Sequence, residues 1–292
     1  MKMEEDNSFM EQRTLLAVFA HPDDEAFGVA GVFRKYSDEG AHMALVCATR
    51  GEAGDISDPA LATPTTLGEA REQELRAACR IMGVTDLNLL GYHDGQLAQA
   101  NVEEATGRLV RQLRRIRPRV VITFAPNGGY GHADHMAIHR LTVAAFSAAG
   151  DPARYPEHHA EGLHPYAPQK LYYVAFPQSI MRAMREQARD AGQTFAPGGS
   201  TATIAAEQMG TPDDEITTVI PLSEREFETK VRAIRAHRTQ LTPESPVEHL
   251  DTPLVRDWLG VERFVRAVPA VPAANTKDAV DAERDLFAGV TS

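Results

Sequence analysis

The stretch Thr14-Leu-Leu-Ala-Val-Phe-Ala-His-Pro-Asp-Asp-Glu25 decides the fold. After Thr14 comes an apolar run to Ala20 without polar alternation, which is typical of a strand buried on both faces. Helix-like spacing of apolar residues then extends from Ala26 to Glu39 and stops at Gly40. The stretch therefore predicts a buried strand that passes through a short acidic loop into a helix.

The same order of strand and helix repeats along the chain. Strands that alternate with helices form a mostly parallel sheet covered on both faces, so the sequence predicts an α/β fold, a Rossmann-like three-layer sandwich. Its C-terminal half is elaborated by two aperiodic segments, 151–169 and 192–214, and Ser223 with Glu226 predicts a capping box. The predicted strands are 14–20, 41–49, 87–92, 120–125, 171–176 and 215–220, and the predicted helices are 26–39, 69–82, 102–116, 135–149, 178–191 and 223–238.

Composition and length indicate one globular domain. We expect it to span residues 14–267, after an acidic tail (1–13) and before a Pro- and Ala-rich extension (268–292) that wraps the surface or is loose. With 30 basic and 41 acidic residues the net charge is −11, which disfavours nucleic acid and anionic membranes as partners. No apolar run is long enough to span a membrane, and the composition leaves a homo-oligomer open.

Cysteine content and the N-terminus indicate a cytoplasmic location. Cys47 and Cys79 are the two cysteines of the chain, too few for a disulfide framework. The first residues are acidic and polar, whereas a signal peptide carries positive charge followed by an apolar stretch. A reducing compartment is therefore expected.

Two loops that follow predicted strands each combine histidine with aspartate. They are Ala20-His-Pro-Asp-Asp-Glu25 and Pro126-Asn-Gly-Gly-Tyr-Gly-His-Ala-Asp-His135. Each loop alone has a structural explanation, since carboxylates suit a helix N-terminus and glycines turn the chain. However, loops after parallel strands emerge at the same edge of a sheet, where ligands bind. We therefore expect both loops to face one cleft.

The residue types in these loops fit a catalytic metal site. Two imidazoles and one carboxylate, from His21, Asp24 and His135, are the ligand set of catalytic zinc and also of non-haem Fe(II), so the metal stays open. Asp23 is free to act as a general base toward an attacking water. His132, with Asp134 two residues away, is placed to stabilise an oxyanion. This set suffices for amide hydrolysis.

These loops resemble the PIG-L/LmbE-like family of zinc-dependent deacetylases. The resemblance spans most of residues 14–241, and a weaker similarity to the mycothiol deacetylase and mycothiol conjugate amidase branch involves Asn127-Gly-Gly-Tyr, Ala148-Ala-Gly-Asp151 and Leu286-Phe-Ala-Gly289. Besides the two loops, the motifs that carry the family resemblance are Thr49-Arg-Gly-Glu-Ala-Gly54, Arg71 with Glu74, Gly91-Tyr-His-Asp-Gly95, and Lys230 with Ala236-His-Arg-Thr-Gln240.

The resemblance implies a role for several residues. His21, Asp24 and His135 would bind Zn²⁺, or Fe²⁺ in the cell, and Asp23 would be the general base and later the general acid. His132, oriented by Asp134, would stabilise the tetrahedral intermediate, and Tyr130 matches a tyrosine that swings over the substrate carbonyl. The positions that match substrate contacts are Glu52, Arg71, Asp94 and His237, of which His237 could instead support the site from behind. The family usually has proline where this chain has Ala133.

Other polar or aromatic residues receive structural interpretations. His139 lies one helical turn after His135 and is expected to support the fold or the site, and His93 is as suited to a substrate contact as to a structural role. Trp258 is expected in the core. Residues expected to be solvated are His158, His159, His164, Arg108, Arg111, Arg114, Arg115 and Arg117.

The sequence favours a zinc-dependent hydrolase that removes an N-acyl group, most simply acetyl, from an amino sugar or glucosaminyl conjugate. A conjugate-type amidase and a non-catalytic sugar-binding protein stay open as alternatives. A nucleotide-dependent enzyme is disfavoured, because the first strand runs into carboxylates and no G-x-G-x-x-G follows it. An Fe(II) oxygenase shares the ligand types but is not expected on this fold.

Overall fold

A mixed seven-stranded sheet is the centre of the molecule. The computed structural model describes residues 13–190, 192, 195, 203–270 and 282–291. Within them, the strand order is β3-β2-β1-β4-β5-β7-β6, with β1 to β5 parallel and β7 antiparallel to both of its neighbours. The strands are β1 (Thr14–Phe19), β2 (His42–Cys47), β3 (Asp86–Leu89), β4 (Val120–Phe124), β5 (Lys170–Val174), β6 (Thr218–Pro221) and β7 (Val261–Val268).

The middle of the sheet contains a switch in chain direction. From β1 the chain moves outward through β2 to β3 and then returns to place β4 on the other side of β1. Leu15 of β1 pairs with Met43 of β2 and with Val120 of β4, and all residues of β1 and β4 are buried. A crevice forms at such a switch point, outside the carboxyl ends of the two strands.

Helices cover both faces of the sheet. One layer is made by α1, α2 and α7, which pack on one another, and α3 packs on α5 in the other layer. No helix in the described ranges is both long and apolar enough to cross a membrane. The helices are α1 (Asp24–Asp38), α2 (Leu67–Met82), α3 (Val102–Ile116), the single turn α4 (Gly128–Gly131), α5 (Ala133–Ala148), α6 (Gln178–Asp190), α7 (Glu224–Ala236) and α8 (Pro253–Leu259).

The predicted fold class is confirmed, and the predicted capping box is present with Ser223 and Glu226 at the start of α7. The prediction that the last strand and helix end near residue 238 is wrong, because α8 and β7 follow. β7 buries Glu262 and Phe264 on one face and carries the partly exposed Arg263 on the other. A buried glutamate hides the alternation of apolar and polar residues that marks such a strand.

The end of the chain packs against the sheet. Glu283 accepts hydrogen bonds from Lys170 Nζ (2.7 Å) and the Tyr172 hydroxyl (2.6 Å), and Leu286 is completely buried. Residues 282–291 of the predicted extension therefore lie on the domain surface and are not loose. The predicted domain limits stay a prediction. Several predicted segments lie outside the described residues: the tail up to residue 12, part of 192–214, and residues 271–281.

Two predictions of solvated side chains are wrong. The Arg114 guanidinium is buried and donates to four main-chain carbonyls, those of Ala149, Asp151, Arg154 and Tyr155, at 2.8 to 3.1 Å. These bonds compensate the burial of the charge and fix the loop after α5. His158 is buried against the Tyr155 ring, with centroids 5.6 Å apart.

The prediction of exposure holds for His159 and His164, while Trp258 is half-buried and stacks on Phe27 of α1.

A buried ion pair joins α1, α7 and β7. Lys230 Nζ of α7 lies 2.9 Å from Glu262 Oε1 of β7, and both side chains are almost completely buried. The same carboxylate accepts the backbone N–H groups of Gly31 and Val32 in α1, each at 2.8 Å. Three donors therefore compensate the desolvation of one carboxylate.

Replacing Glu262 by Gln is expected to lower the free energy of unfolding by about 3 kcal/mol, because the Lys230 ammonium group stays buried without its counter-charge. Urea denaturation at neutral pH measures the effect. The matched control is Glu224→Gln, which weakens the exposed pair with Arg256 and should change the free energy by less than about 0.5 kcal/mol. Equal losses of free energy in the two variants would contradict this account of the buried ion pair.

Candidate metal centre and catalytic site

The two histidine-aspartate loops meet at the switch point between β1 and β4. His21 lies in the loop after β1, and His135 lies in the first turn of α5, which follows β4. His21 Nδ1 and His135 Nε2 are 3.1 Å apart although the residues are separated by 114 positions. The structure thus brings together the two imidazoles that the sequence analysis assigned to one ion.

Asp24 completes a cluster of three donor groups. Its Oδ1 lies 3.3 Å from His135 Nε2, and its Oδ2 lies 3.7 Å from His21 Nδ1. A tetrahedral ion with bonds of 2.0 to 2.1 Å holds its ligand atoms about 3.3 to 3.4 Å apart. The spacing and chemistry of the three groups therefore fit a divalent metal ion. Ring nitrogens of His21, His132 and His135 also lie within 4.8 Å of one another, so His132 faces the same point.

Buried acceptors orient the two histidines. His135 Nδ1 lies 3.0 Å from the carbonyl oxygen of Gly128, so it donates there and leaves Nε2 as the free ligand atom. His21 Nε2 lies 3.0 Å from Asp94 Oδ1 and 3.4 Å from Asp134 Oδ2, which leaves Nδ1 free. His21 Nδ1 and His135 Nε2 therefore face each other and Asp24, and these are the two nitrogens that a metal ion would take.

The cluster concentrates negative charge around His21. Burial opposes protonation of this ring, yet the Asp134 and Asp94 carboxylates, which accept hydrogen bonds from it, raise the pKa of His21 to about 10. Burial opposes ionisation of Asp24, but the neighbouring His135 and His21 hold its pKa below the ordinary value. The carboxylates that favour positive charge on the His21 ring would also favour a metal cation, which would compete with the second ring proton at Nδ1.

Asp23 lies beside the cluster with its side chain one quarter exposed. Its Oδ2 is 3.2 Å from Arg71 Nη2. Burial raises the pKa of Asp23 to about 6, a shift that Arg71 opposes and the adjacent Asp24 reinforces. A carboxylate with a pKa near the working pH can both accept and return a proton.

His132 and Asp134 differ in one respect from the expected arrangement. The Asp134 carboxylate accepts the backbone N–H groups of Gly95 (2.7 Å) and Leu97 (3.0 Å) and faces His21, so it does not bond the His132 ring. His132 Nδ1 instead accepts the backbone N–H of Asp134 at 3.1 Å. A neutral ring then carries its proton on Nε2. Burial lowers the pKa of His132 to about 4, with the nearby imidazoles adding to the shift.

The four residues predicted to contact substrate occupy different environments. Glu52 keeps a third of its side chain exposed and accepts the backbone N–H of Asp94. The Asp94 side chain is 8% exposed and lies against His21, and Arg71 is buried against Asp23. His237 is 1% exposed, and its Nε2 lies 2.7 Å from Glu25 Oε1. As placed, Glu52 is the most open of the four, and the roles of all four stay predictions.

Tyr130 lies beside the metal-ligand cluster, whereas His139 and His93 do not take part in it. The Tyr130 ring packs edge-on against His135, with centroids 5.1 Å apart. His139, buried, has Nδ1 2.8 Å from the carbonyl oxygen of Phe124 and does not join the cluster. The His93 side chain is 81% exposed.

Sequence reasoning missed the position of Glu25. It treated this residue only as a carboxylate that suits a helix N-terminus, whereas the structure buries Glu25 between the backbone N–H of Asp23 (3.0 Å) and His237. A carboxylate directly after two functional aspartates was the available signal, but its partner lies 212 positions away.

Part of the irregular segment after α6 forms a wall beside the Tyr130 loop. Gly210 donates its N–H to the carbonyl oxygen of Gly129 (2.6 Å) and accepts from Asn127 Nδ2 (2.7 Å). Thr203 bonds the carbonyl oxygen of Gly131. A long loop thus borders the crevice, where loops commonly determine specificity.

Comparisons with known proteins agree with this geometry. The PIG-L family model, described as GlcNAc-PI de-N-acetylase, matches residues 16–146. The 1D-myo-inositol 2-acetamido-2-deoxy-α-D-glucopyranoside deacetylase of Thermobispora bispora is 35% identical over 96% of this chain and 100% of its own length. The protein of the same name from Thermobifida fusca is 36% identical over 87% of this chain and 93% of its own. The N,N'-diacetylchitobiose deacetylase of Pyrococcus horikoshii superposes with a TM-score of 0.65 at 21% identity, covering 93% of this chain and 88% of that one.

The span matched by the family model contains both loops and the metal-ligand candidates. The relatives that match nearly the whole chain are deacetylases, which are hydrolases of amide bonds, so the predicted enzyme class and the predicted resemblance are confirmed. The structural similarity supports the same α/β fold. The chain belongs to the PIG-L family of GlcNAc-PI de-N-acetylases.

Proposed function

We propose that this chain is a metal-dependent N-deacetylase that acts on an N-acetylglucosaminyl conjugate, with 1D-myo-inositol 2-acetamido-2-deoxy-α-D-glucopyranoside as its substrate. The observation that carries the proposal is the cluster of His21, Asp24 and His135 donor atoms with Asp23 beside it. The substrate follows from the names of relatives that match nearly the whole chain. A cytoplasmic location and a homo-oligomer stay predictions from the sequence.

His21, Asp24 and His135 would hold Zn²⁺, and their ligand types suit Fe²⁺ as well. A divalent ion held by these residues would make the attacking water more acidic and would polarise the amide carbonyl. The remaining work of proton transfer and charge stabilisation belongs to side chains of the protein.

Asp23 is the proposed general base and general acid. Its carboxylate accepts a proton from the attacking water as the new C–O bond forms at the acetyl carbon. It then returns the proton to the sugar nitrogen as the C–N bond breaks, which leaves acetate and a free amine. The Arg71 guanidinium, 3.2 Å away, holds the carboxylate in position.

His132 and Tyr130 are the proposed donors to the carbonyl oxygen. Because His132 accepts a backbone N–H at Nδ1, its Nε2–H is available to the oxygen that gains negative charge when water adds. Burial raises the pKa of Tyr130 well above its ordinary value, with Asp24 and Asp23 adding to the shift. The hydroxyl therefore keeps its proton and can donate it in a hydrogen bond.

Glu52 is the proposed contact to the sugar. One of its carboxylate oxygens, Oε2, is buried without a hydrogen-bond partner among the described residues. The exposed third of the side chain faces solvent, so a small rotation of the carboxyl group would let it accept a sugar hydroxyl, and a carboxylate that gains a donor on binding selects for a hydroxyl-rich ligand.

Replacing Asp24 by Ala is expected to weaken metal binding by more than about 100-fold, since the loss of groups that merely support ligands already costs 10- to 100-fold. Elemental analysis after dialysis against Zn²⁺ measures the metal content, which should be near one ion per wild-type chain. The exposed Asp251→Ala variant is the control and should retain full metal content. Full retention in Asp24→Ala would remove Asp24 from the ligand set.

Replacing Asp23 by Asn is expected to reduce deacetylation by roughly 100- to 10,000-fold, because the amide cannot accept the proton of the attacking water. Metal content should stay near that of the wild type, and Asp251→Asn should leave the rate unchanged. Amine release, measured with a fluorescent reagent, gives the rate. A rate near that of the wild type would refute the assignment of the base.

The inositol conjugate is expected to have a kcat/KM at least about 10-fold above that of free N-acetylglucosamine, because contacts to the inositol contribute binding energy in the transition state. Amine and acetate release, measured with Zn²⁺ or Fe²⁺ present, tests this. Cleavage of a mycothiol S-conjugate without deacetylation would favour the amidase alternative. Binding of the sugar without turnover under either metal would favour the non-catalytic alternative.

A further inference from the structure

Asp23 has an unusual backbone conformation. Its φ of 111° and ψ of −29° lie outside the left-handed well near 57° and 47° that non-glycine residues can occupy. Among the described residues, Arg117 and Tyr155 also have positive φ, but their angles of 54° and 52°, and of 51° and 55°, fall inside that well. A conformation of this kind persists only where the surrounding structure enforces it.

A buried carboxylate and imidazole hold the backbone of Asp23. Its N–H donates to Glu25 Oε2 at 3.0 Å, and Glu25 Oε1 lies 2.7 Å from His237 Nε2. Glu25 and His237 are each 1% exposed, so no solvent competes for these bonds. Arg71 Nη2 holds the preceding carbonyl oxygen, that of Pro22, at 2.5 Å.

His237 is itself fixed by the elements around it. It ends α7, and its backbone N–H donates to the carbonyl oxygen of Ile234. Two residues later, the N–H and hydroxyl of Thr239 donate to the Glu74 carboxylate of α2 at 2.8 and 2.7 Å. Because α7 packs on both α1 and α2, the imidazole is held at a fixed place behind the start of α1.

The unusual conformation has a consequence for two consecutive carboxylates. Asp24 contacts both His21 and His135, whereas Asp23 faces Arg71 and stays partly open. Successive side chains of a regular helix point about 100° apart. Because of the turn at Asp23, the Asp24 carboxylate points toward the metal ligands and the Asp23 carboxylate points away from them, although both lie at the same crevice.

We propose that Glu25 and His237 are positioning residues for the general base: the buried pair holds the Asp23 N–H, keeps the backbone in its strained turn and thereby aims the Asp23 carboxylate at the reacting water. The inference rests on the proposed function for its catalytic consequence. It replaces the expected substrate contact of His237 by an indirect role, since the imidazole is buried against Glu25.

The first test compares His237→Leu with His237→Gln. Leucine removes the N–H donor to Glu25, so kcat should fall by roughly 10- to 100-fold, as for a misplaced catalytic group, while KM stays within about twofold. Glutamine places an amide N–H near the position of Nε2 and should restore most of the rate. Metal content should match the wild type throughout. His158→Leu, at a buried histidine in the loop that follows α5, should leave kcat unchanged.

The second test does not require activity. If Asp23 is strained, Asp23→Gly should melt roughly 2 to 4 °C above Asp23→Ala in metal-free protein, because glycine adopts this φ without strain. The same two substitutions are then made in the double variant Glu25→Leu, His237→Leu, in which apolar groups that a core tolerates replace the buried pair. There the difference in melting temperature between the glycine and alanine variants should disappear. A merely structural pair would lower both melting temperatures equally.

The outcomes separate the positioning role from the proposed function. No deacetylation by the wild type on any glucosaminyl substrate would refute the function, while the melting temperatures would still support or refute the strain. An active wild type whose kcat is unchanged in His237→Leu would overturn the positioning role. An unchanged difference between the glycine and alanine variants in the two backgrounds would overturn it as well.

Discussion

The parallel pairing of β1 with β4 is the constraint on which the site depends. Leu15 to Ala17 lie beside Val120 to Ile122, so the two strands run in register and end at the same edge of the sheet. The loops that follow these strands therefore border the crevice beyond that edge. Burial of the two strands thus brings His21 and His135 to the same edge, where their imidazole nitrogens lie 3.1 Å apart, and a shift in register would separate them.

The same burial makes the cluster electrostatically demanding. Asp24, Asp94 and Asp134 surround His21 with carboxylates that are largely removed from water, which costs desolvation free energy and favours positive charge at this point. Backbone amides of Gly95 and Leu97 compensate part of this cost at Asp134. A divalent ion would compensate the rest, so the features that destabilise the metal-free site are those that favour metal binding.

The sequence predicted what local patterns encode and missed what depends on distant partners. Apolar runs gave the strands β1, β2 and β4 and hence the crevice, and the residue types in two loops gave the candidate ligands. β7 was missed because the buried Glu262 obscures its alternation, and Arg114 was assigned to solvent because its carbonyl partners lie in a loop that no pattern describes. The contacts of the Asp134 carboxylate depend on a third strand's loop, which spacing along the chain cannot reveal.

The motif near residue 230 explains how a helix that begins with strain is kept in place. Two buried side chains, one from α7 and one from the residue that caps it, contact carboxylates that hold the backbone of α1. Lys230 pairs with Glu262, which accepts the N–H groups of Gly31 and Val32. His237 contacts Glu25, which accepts the N–H of Asp23. Both ends of this arrangement act on the backbone of α1, so they resist rotation and sliding of the helix as well as relaxation of its first turn. Fixing the backbone in this way leaves the side chains of Asp23 and Asp24 free for chemistry, because neither is needed to cap the helix that carries it.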